Sequence, residues 1–297
     1  AIHCDGLTKH YGKVEALNDL DLDIRPGEIF GFLGPNGAGK TTTIRTLMDE
    51  IRPTAGSATI VGLDTHKDSV EIRRSVGYIP GDLAMYPNLT GKDTLTYFAN
   101  LRGGVDWTVV DSLANRLEAD LSKKVGDLST GNRQKVGIIQ AFMNEPEVYI
   151  MDEPSAGLDP LVQRAFQEMM KESVANGATV FLSSHTLSEV QRVADRVGII
   201  RNVHLITVEG VQELRSKAIR RVDLYFDGPV DPAVFSSVDG VRDLLVENHH
   251  ATMSFDGKME ALLGATAGRY TLVDINTQEA DLEEIFLTYY REEEASS

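Results

Sequence analysis

Short apolar runs alternate with segments of helical periodicity through the first two thirds of the chain. Residues 28–33 form an apolar run that ends at a glycine, which is typical of a buried strand, and the pattern of 41–51 is that of a helix. The same signals predict strands over 19–24, 57–61, 76–79, 148–151, 179–182 and 197–200, and helices over 90–101, 107–117, 131–143, 161–174 and 187–194. Strands that alternate with helices predict a parallel sheet covered on both faces.

The pattern changes after about residue 217. The remaining chain is predicted to form strand, helix, strand, strand, helix, strand and helix over 222–226, 232–237, 241–246, 252–255, 259–265, 270–275 and 282–290. That order resembles a small ferredoxin-like α+β unit with an added helix. We therefore predict two domains, 1–215 and 216–297, of which the second serves dimerisation or regulation.

Composition excludes several classes of protein. The 297 residues carry a formal net charge of −16, and because an acidic surface repels phosphate backbones we expect no nucleic-acid partner. A single cysteine, Cys4, allows no internal disulfide. No apolar run approaches the roughly 18–20 residues that cross a bilayer, and we expect no signal peptide because the first residues lack an apolar segment. These features argue against a membrane-spanning or disulfide-rich secreted chain and leave the function open.

Residues 34–41 spell GPNGAGKT, a complete G-x-x-x-x-G-K-[ST] pattern between a predicted strand and a predicted helix. Glycines let successive backbone N–H groups point at phosphate oxygens, and the helix presents its positive N-terminus to them. We expect Lys40 to reach the β- and γ-phosphates and the Thr41 hydroxyl to bind Mg²⁺. The alternative is a plain glycine-rich turn. The predicted nucleotide-binding residues here are Gly34, Pro35, Asn36, Gly37, Ala38, Gly39, Lys40, Thr41 and Thr42.

Two acids, Asp152 and Glu153, follow the apolar strand predicted over 148–151. A carboxylate at the carboxyl end of a strand beside a phosphate loop is placed to hold Mg²⁺, so we assign that role to Asp152. Glu153 is the candidate that polarises the attacking water. The alternative is a strand-to-loop turn that carries two solvated acids.

A third motif, LSTGN at 128–132, opens a predicted helix ahead of this strand. It resembles the signature of the ATP-binding cassette (ABC) ATPases, and residues 155–159, SAGLD, resemble the D-loop of that family. His185 follows a predicted strand, as the family's switch histidine does, and Tyr11 resembles the aromatic residue that stacks on adenine. Each of these residues alone is a weak signal, since a lone histidine after a strand is more often structural. The resemblance rests on five motifs in the family's order and covers residues 1 to about 215.

The resemblance implies an α/β fold, that of an ABC-type P-loop ATPase with a helical subdomain at about 82–145, which binds ATP and Mg²⁺. In that family two ATPase domains pack head to tail, and each lends its signature to the ATP of the other. Ser129 and Gly131 would then supply a second anion site, and Asp159 of the D-loop would join the nucleotide site. The implied catalytic residues are Lys40, Glu153 and His185, and the implied assembly is a homodimer.

The chain departs from the family pattern after the strand that ends at 78–80. The family usually places glutamine there, whereas this chain has Gly81 and then Asp82. Glycine offers no side chain to Mg²⁺ or to the attacking water, and Asp82 is left as a candidate substitute that acts through water. The signature also has Thr130 and Asn132 where glycine and glutamine are common. With glycine at position 81, the chain resembles one branch of the family, the bacterial exporters that have a separate permease. Drug and antibiotic exporters are frequent in that branch.

From this resemblance we expect the ATP-hydrolysing subunit of an exporter for a drug, an antibiotic or another hydrophobic compound. It would drive a separate permease at the cytoplasmic face of the membrane, with the permease seated near 81–86 and the helix from Thr90. The alternative for 81–86 is an ordinary loop, and the alternative function is a soluble ABC ATPase in an assembly or mechanical role. The adjacent His249 and His250 favour a turn over a metal site, because neighbouring strand residues face opposite sides.

Overall fold

The computed structural model of the protein describes residues 1–217 and 220–278. They form two compact units, Ala1–Gly210 and a second that begins at Val211. The strands of the first unit are β1 (Ile2–Tyr11), β2 (Val14–Ile24), β3 (Ile29–Leu33), β4 (Ala55–Ile60), β5 (Leu63–Asp64), β6 (Val76–Ile79), β7 (Val148–Asp152), β8 (Thr179–Ser184), β9 (Arg196–Arg201) and β10 (His204–Gly210). Its helices are α1 (Lys40–Leu47), α2 (Ser69–Ser75), α3 (Gly91–Leu101), α4 (Trp107–Arg116), α5 (Thr130–Phe142), α6 (Pro160–Ala175) and α7 (Leu187–Val193).

One sheet of this unit is antiparallel, with the strand order β2-β1-β4-β5. Gly12 and Lys13 alone connect β1 to β2, and so short a connection allows only a hairpin. The strands predicted over 19–24 and 57–61 lie in this sheet, and not in the parallel sheet that the alternating pattern predicts. The sequence pattern did not reveal β1, because the regular alternation of buried and exposed residues is lost in the second half of the strand.

The second sheet has the order β10-β9-β3-β8-β7-β6. The five strands from β9 to β6 run parallel, as predicted, and β10 is an antiparallel edge strand. The register sets Leu33 opposite Ser184 and Asp152 opposite Ser183. The carboxyl ends of β3, β8 and β7 therefore lie side by side, at the edge where sheets of this kind bind ligands.

Aromatic side chains fix the strands that carry this edge. Phe30, Phe32 and Phe181 are fully buried, and the ring centroids of Phe32 and Phe181 lie 5.5 Å apart. Ile44 of α1 and Ile150 of β7 belong to the same core cluster. Burying a side chain of this size contributes about 1.5–3 kcal/mol, so the core holds the ends of β3 and β8 in register.

Three elements differ from the sequence expectations for local reasons. Helix α1 ends at Leu47 and not at 51, because Asp49 adopts a left-handed conformation with φ 52°. Helix α2 was not predicted, since only Ile72 of its seven residues is buried and no apolar stripe marks it. Strand β10 was missed because all but one of its residues are half-buried, so its pattern carries no alternation.

Helices α3, α4 and α5 form the helical part of this unit. A capping box begins α3, in which Thr90 Oγ1 accepts from the Asp93 N–H at 3.0 Å and the Asp93 carboxylate accepts from the Thr90 N–H at 3.3 Å. Arg116 of α4 donates two hydrogen bonds, of 2.6 and 2.9 Å, to the carboxylate of Glu172 on α6. This bidentate pair ties the helical part to a helix that flanks the parallel sheet.

The second unit consists of α8 (Val211–Lys217), β11 (Arg220–Phe226), α9 (Ala233–Ser236), β12 (Val241–Glu247), β13 (His250–Phe255), α10 (Met259–Thr266) and β14 (Leu272–Gln278). Its sheet is antiparallel with the order β12-β13-β11-β14. His250 begins β13 and so lies in the strand, not in the turn that was predicted for it, and its Nε2 lies 3.0 Å from Asp223 Oδ1. The ferredoxin-like assignment stays a prediction, and the helix predicted over 282–290 lies outside the described residues. Among the helices that the structure describes, none is long and apolar enough to cross a membrane.

Candidate functional site

The loop between β3 and α1 curls closely against the sheet. Gly39 adopts φ 112°, a left-handed conformation that favours glycine. A Cβ on Gly34 would lie 2.2 Å from the carbonyl oxygen of Ile200, so no side chain fits at that position. Positions 34 and 39 of the loop therefore require glycine, one because of close contact and the other because of its φ. A plain glycine-rich turn, the alternative, does not explain the buried lysine that follows.

Lys40 is 6% exposed, and its ammonium group turns back under the loop. Nζ donates to the carbonyl oxygens of Gly34 at 2.6 Å and Pro35 at 3.3 Å, and lies 3.5 Å from Glu153 Oε1. The structure thus brings together the lysine of the loop and Glu153, which directly follows β7. A buried cation held by carbonyl groups at the start of a helix is a ready anion site.

Asp152 ends β7 and is 2% exposed. Its Oδ1 accepts a hydrogen bond from the hydroxyl of Ser183 on β8, which fixes the carboxylate at the edge of the sheet. Thr41 lies at the start of α1 with its side chain exposed. A carboxylate and a hydroxyl are oxygen donors that suit Mg²⁺, and no group of three or more His, Cys, Asp or Glu that could hold a metal occurs in the described ranges. That donor set fits a Mg²⁺ ion that takes most of its ligands from phosphate and water.

Glu153 lies just beyond β7 in a left-handed conformation, with φ 49°. Such a conformation is uncommon for a residue with a side chain and is typical of functional sites. Its backbone N–H donates to the Ser183 carbonyl oxygen at 3.3 Å and to the Ser183 hydroxyl at 3.2 Å, which hold it there. The carboxylate is about one quarter exposed and lies between Lys40 and His185.

His185 follows β8, and its Nδ1 lies 2.8 Å from Glu153 Oε2. An ionised carboxylate only accepts hydrogen bonds, so Nδ1 carries the proton in this contact. The imidazole is 58% exposed, which leaves Nε2 free to meet solvent or a ligand. Lys40, Glu153 and His185, which lie far apart in the sequence, therefore form one continuous polar cluster.

The signature residues lie at the start of α5. The Ser129 hydroxyl caps this helix by accepting from the Asn132 N–H at 3.3 Å. A Cβ on Gly131 would lie 2.3 Å from the carbonyl oxygen of Gly157, so α5 packs directly on the 155–159 segment. Among the hydrogen bonds and ion pairs of the described residues, none joins Ser129 or Gly131 to the loop at 34–41.

Asp159 and Tyr11 have local partners of their own. The Asp159 carboxylate caps α6 by accepting from the N–H groups of Leu161 at 3.1 Å and Val162 at 3.0 Å, and these bonds lower its pKa. Tyr11 is half-exposed at the end of β1, with Lys9 Nζ 4.9 Å from its ring centroid.

The hairpin that carries Tyr11 lies beside the phosphate loop. The carbonyl oxygen of Ala16 on β2 lies 3.0 Å from the position that a Cβ on Gly39 would take. An exposed ring near the loop is a suitable stacking surface for a base.

Gly81 lies beside Asp152. A Cβ built on Gly81 would lie 2.8 Å from Asp152 Oδ2, so a longer side chain at this position would contact the carboxylate. Asp82 is exposed, and its carbonyl oxygen accepts from the Ala84 N–H at 3.0 Å.

The sequence reasoning missed Ser183, which holds both acids, Asp152 and Glu153. The pairing of β7 with β8 is the signal that reveals its role, and a single sequence does not show this pairing.

Comparison with known proteins identifies the family. The family model described as ABC transporter matches residues 17–156. Over 83% of its length the chain is 34% identical to BcrA of Enterococcus faecalis, a bacitracin transport ATP-binding protein, of which it covers 82%. The chain belongs to the ABC transporter family. A solved ATP-binding subunit of an ABC transporter is 33% identical, with a TM-score of 0.66 over 72% of this chain and 91% of that one.

A second solved structure supports the same fold. It is the ATP-binding cassette MJ0796, described as a dimer in a post-hydrolysis state bound to ADP and Pi. It is 22% identical, with a TM-score of 0.66 over 71% of this chain and 99% of that one. The predicted ABC-type α/β fold is confirmed, and the chain is an ABC ATPase that binds ATP.

The glycine at position 81 gives a test of the geometry around Asp152. We expect Gly81→Ala to lower ATP turnover about threefold, because its Cβ would displace a carboxylate that Ser183 holds in place. Gly81→Gln adds the same carbon together with an amide that can hydrogen-bond at this position, so its turnover should exceed that of Gly81→Ala. Steady-state phosphate release measures both variants. Wild-type turnover of Gly81→Ala would show that the close approach has no consequence.

Proposed function

We propose that this ABC ATPase is the ATP-hydrolysing subunit of an exporter that drives a separate permease and removes a drug, an antibiotic or another hydrophobic compound. The observation that carries the proposal is a cleft of about 510 Å³ with a largely apolar lining, which begins beside β6 and is lined by Tyr78 and Pro80. The bacitracin transport ATP-binding protein that the chain resembles supports the class of substrate. The alternative is an ABC ATPase in an assembly or mechanical role without transport.

The cleft lies between the sheet and the helical part of the first unit. Arg102, which directly follows α3, lines the cleft and donates to the carbonyl oxygens of Arg73 at 3.0 Å and Val76 at 2.7 Å. Its apolar lining is Met48, Val70, Leu83, Met85, Phe98 and Leu101. Val70 and Leu101 are 65% and 67% exposed, and exposed apolar side chains that converge on a groove are typical of an interaction site. We assign this cleft to a helical cytoplasmic segment of the permease.

For hydrolysis we assign Glu153 as the general base that accepts the proton of the attacking water. Lys40 binds the β- and γ-phosphates, which then compete with Glu153 for its ammonium group. His185 donates from Nδ1 to Glu153 and thereby orients the carboxylate, and because the imidazole is exposed its Nε2 is available to the γ-phosphate. Asp152 and Thr41 would hold Mg²⁺, which supplies charge stabilisation to the transferred phosphoryl group.

The signature acts across a dimer of this chain. Ser129 and Gly131 begin α5, and the N-terminus of a helix of this length attracts phosphate. Since neither residue bonds to the phosphate loop of its own chain, we propose that each faces the ATP of the second copy. Tyr11 stacks on the adenine, and Asp159 holds the D-loop by capping α6 at the same interface.

Association with a membrane protein tests the proposed function. We expect the native chain to co-purify with a permease from detergent-solubilised membranes, and its ATP turnover to respond to that permease. Leu101→Asp should reduce co-purification at least about tenfold, because it places a charge on the apolar wall of the cleft. In the absence of the permease, the ATP turnover of Leu101→Asp should stay within about twofold of the native value.

Leu245→Asp is the matched control, since Leu245 is 57% exposed in the second unit and lies outside the cleft. A chain that associates with no membrane protein, and whose turnover responds to none, would favour the assembly or mechanical role. If Leu101→Asp and Leu245→Asp reduced co-purification equally, the cleft would not be the binding site of the permease.

A further inference from the structure

The turn between β8 and α7 is fastened to the phosphate loop by one serine. Ser184 is 1% exposed, and its carbonyl oxygen accepts a hydrogen bond from the Gly34 N–H at 3.4 Å. Its hydroxyl lies 3.1 Å from Glu189 Oε2. The next residue is His185, which contacts the proposed general base. Ser184 thus connects the first residue of the phosphate loop, the switch histidine and a carboxylate to which the proposed mechanism assigns no role.

Glu189 lies on α7, a helix that is packed tightly on the sheet. The buried side chains of α7 are Leu187, Val190 and Val193. A Cβ on Gly31 of β3 would lie 2.1 Å from Val190 Cγ1, so the helix approaches the strand as closely as a glycine allows. Burial raises the pKa of the Glu189 carboxyl, and the hydrogen bond from Ser184 opposes part of that shift. The carboxyl group is therefore held on a rigid element beside the reactive cluster.

We propose that Glu189 is a positioning residue, which orients His185 toward Glu153 by fixing the hydroxyl of Ser184. A serine hydroxyl has one proton to donate. The Ser184 hydroxyl accepts from the Thr186 N–H at 2.9 Å. Its proton has two acceptors within reach, Glu189 Oε2 at 3.1 Å and the Thr186 carbonyl oxygen at 3.3 Å, and the nearer of the two, the Glu189 carboxylate, takes it. These two bonds close the 184–186 turn on both sides of the histidine.

The position of the histidine depends on that turn more than on packing. His185 is 58% exposed, so few neighbouring side chains restrain its ring. The 2.8 Å contact between His185 Nδ1 and Glu153 Oε2 forms only if the backbone of residue 185 keeps its position. A displacement of about 1 Å at a reacting centre costs up to about a hundredfold in rate. Because the bond from the Gly34 N–H to the Ser184 carbonyl remains, we expect a smaller loss on removing Glu189.

The inference rests on the proposed role of His185, and the kinetics of variants of the 297-residue chain test it. We expect Glu189→Ala to lower kcat for ATP about tenfold while the Kd for ATP changes less than about twofold. Glu189→Gln keeps an acceptor for the Ser184 hydroxyl and should retain kcat within about twofold. Ser184→Ala removes both the donor to Glu189 and the acceptor of the Thr186 N–H, and should lower kcat at least as much as Glu189→Ala. The control is Ser188→Ala, an exposed residue of the same helix, with kcat unchanged.

A double-mutant cycle with His185→Ala separates positioning from a general loss of structure. If Glu189 acts through His185, Glu189→Ala lowers kcat no further in the His185→Ala background. Full additivity of the two losses would overturn the inference, as would an equal loss with Glu189→Gln and Glu189→Ala. Wild-type kcat in His185→Ala itself would overturn the proposed role of the histidine and the inference with it. A reduced kcat in His185→Ala beside a normal one in Glu189→Ala would overturn the inference alone.

Discussion

Replacing Glu153 with glutamine is expected to lower ATP turnover by at least about a hundredfold while ATP binding is kept. General-base catalysis contributes about 10²–10⁴-fold, and an amide of the same shape accepts no proton from the attacking water. The charge that is removed lies 3.5 Å from the Lys40 ammonium. Without this competitor Lys40 is fully available to phosphate, so the affinity for ATP should stay the same or rise. Single-turnover phosphate release and titration with a fluorescent ATP analogue measure the two effects separately.

The same variant should trap the dimer of ATPase subunits, because ATP that is bound between two copies is no longer hydrolysed. Sedimentation with ATP and Mg²⁺ would show a stable dimer for Glu153→Gln and a transient one for the native chain. Glu168→Gln is the control, since Glu168 is exposed on α6 and forms an ion pair with Arg164 at 3.4 Å, away from Lys40 and His185. Native turnover in Glu153→Gln would remove Glu153 as the base and would leave His185 as the next candidate.

The sequence predicts the parts of the site that local chemistry determines. The spacing of glycines and lysine in 34–41 is set by the curl of the loop, and the structure places Lys40 beneath it. An apolar strand followed by two acids likewise places Asp152 at the edge of the sheet. In both cases the residues that carry the signal are neighbours in sequence, so a pattern in one chain is enough to find them.

Residues that act through pairing of distant strands escaped prediction. Ser183 holds Asp152 and the Glu153 backbone only because β8 lies beside β7, and Ser184 meets Gly34 only because β8 also lies beside β3. Order along the chain does not give the order of strands in a parallel sheet. The left-handed φ of Glu153 is also absent from the sequence pattern, since glutamate is not a residue that favours this conformation.

The antiparallel sheet shows the same limit at the level of topology. Alternating polar and apolar residues located β2, and an apolar run located β4, but neither pattern tells which sheet a strand joins. The two-residue connection of β1 and β2 would have settled the matter, had β1 been recognised. Hydrophobic periodicity therefore predicts the elements better than it predicts their partners.

Replacing Lys40 with alanine is expected to weaken ATP binding about a hundredfold. Glu153→Gln, in contrast, is expected to keep ATP binding and to lose turnover. Charge-assisted hydrogen bonds contribute about 1.5–3 kcal/mol, and the upper part of that range corresponds to about two decades in Kd. The loss has two sources. Phosphate loses its cation, and Glu153 keeps a negative charge that Lys40 no longer offsets at the same site.

This second source makes the effect of Lys40→Ala separable from damage to the loop. Alanine also leaves the carbonyl oxygens of Gly34 and Pro35 without their ammonium donor, so some loss of affinity could come from a distorted loop. If repulsion by Glu153 contributes, adding Glu153→Gln to Lys40→Ala should recover about tenfold in Kd, which no repair of the loop would give. Lys171→Ala, at an exposed position on α6, is the control for loss of a positive charge. Native ATP affinity in Lys40→Ala would overturn the assignment of the phosphate site. An unchanged Kd in the double variant would show that repulsion by Glu153 does not contribute to the loss.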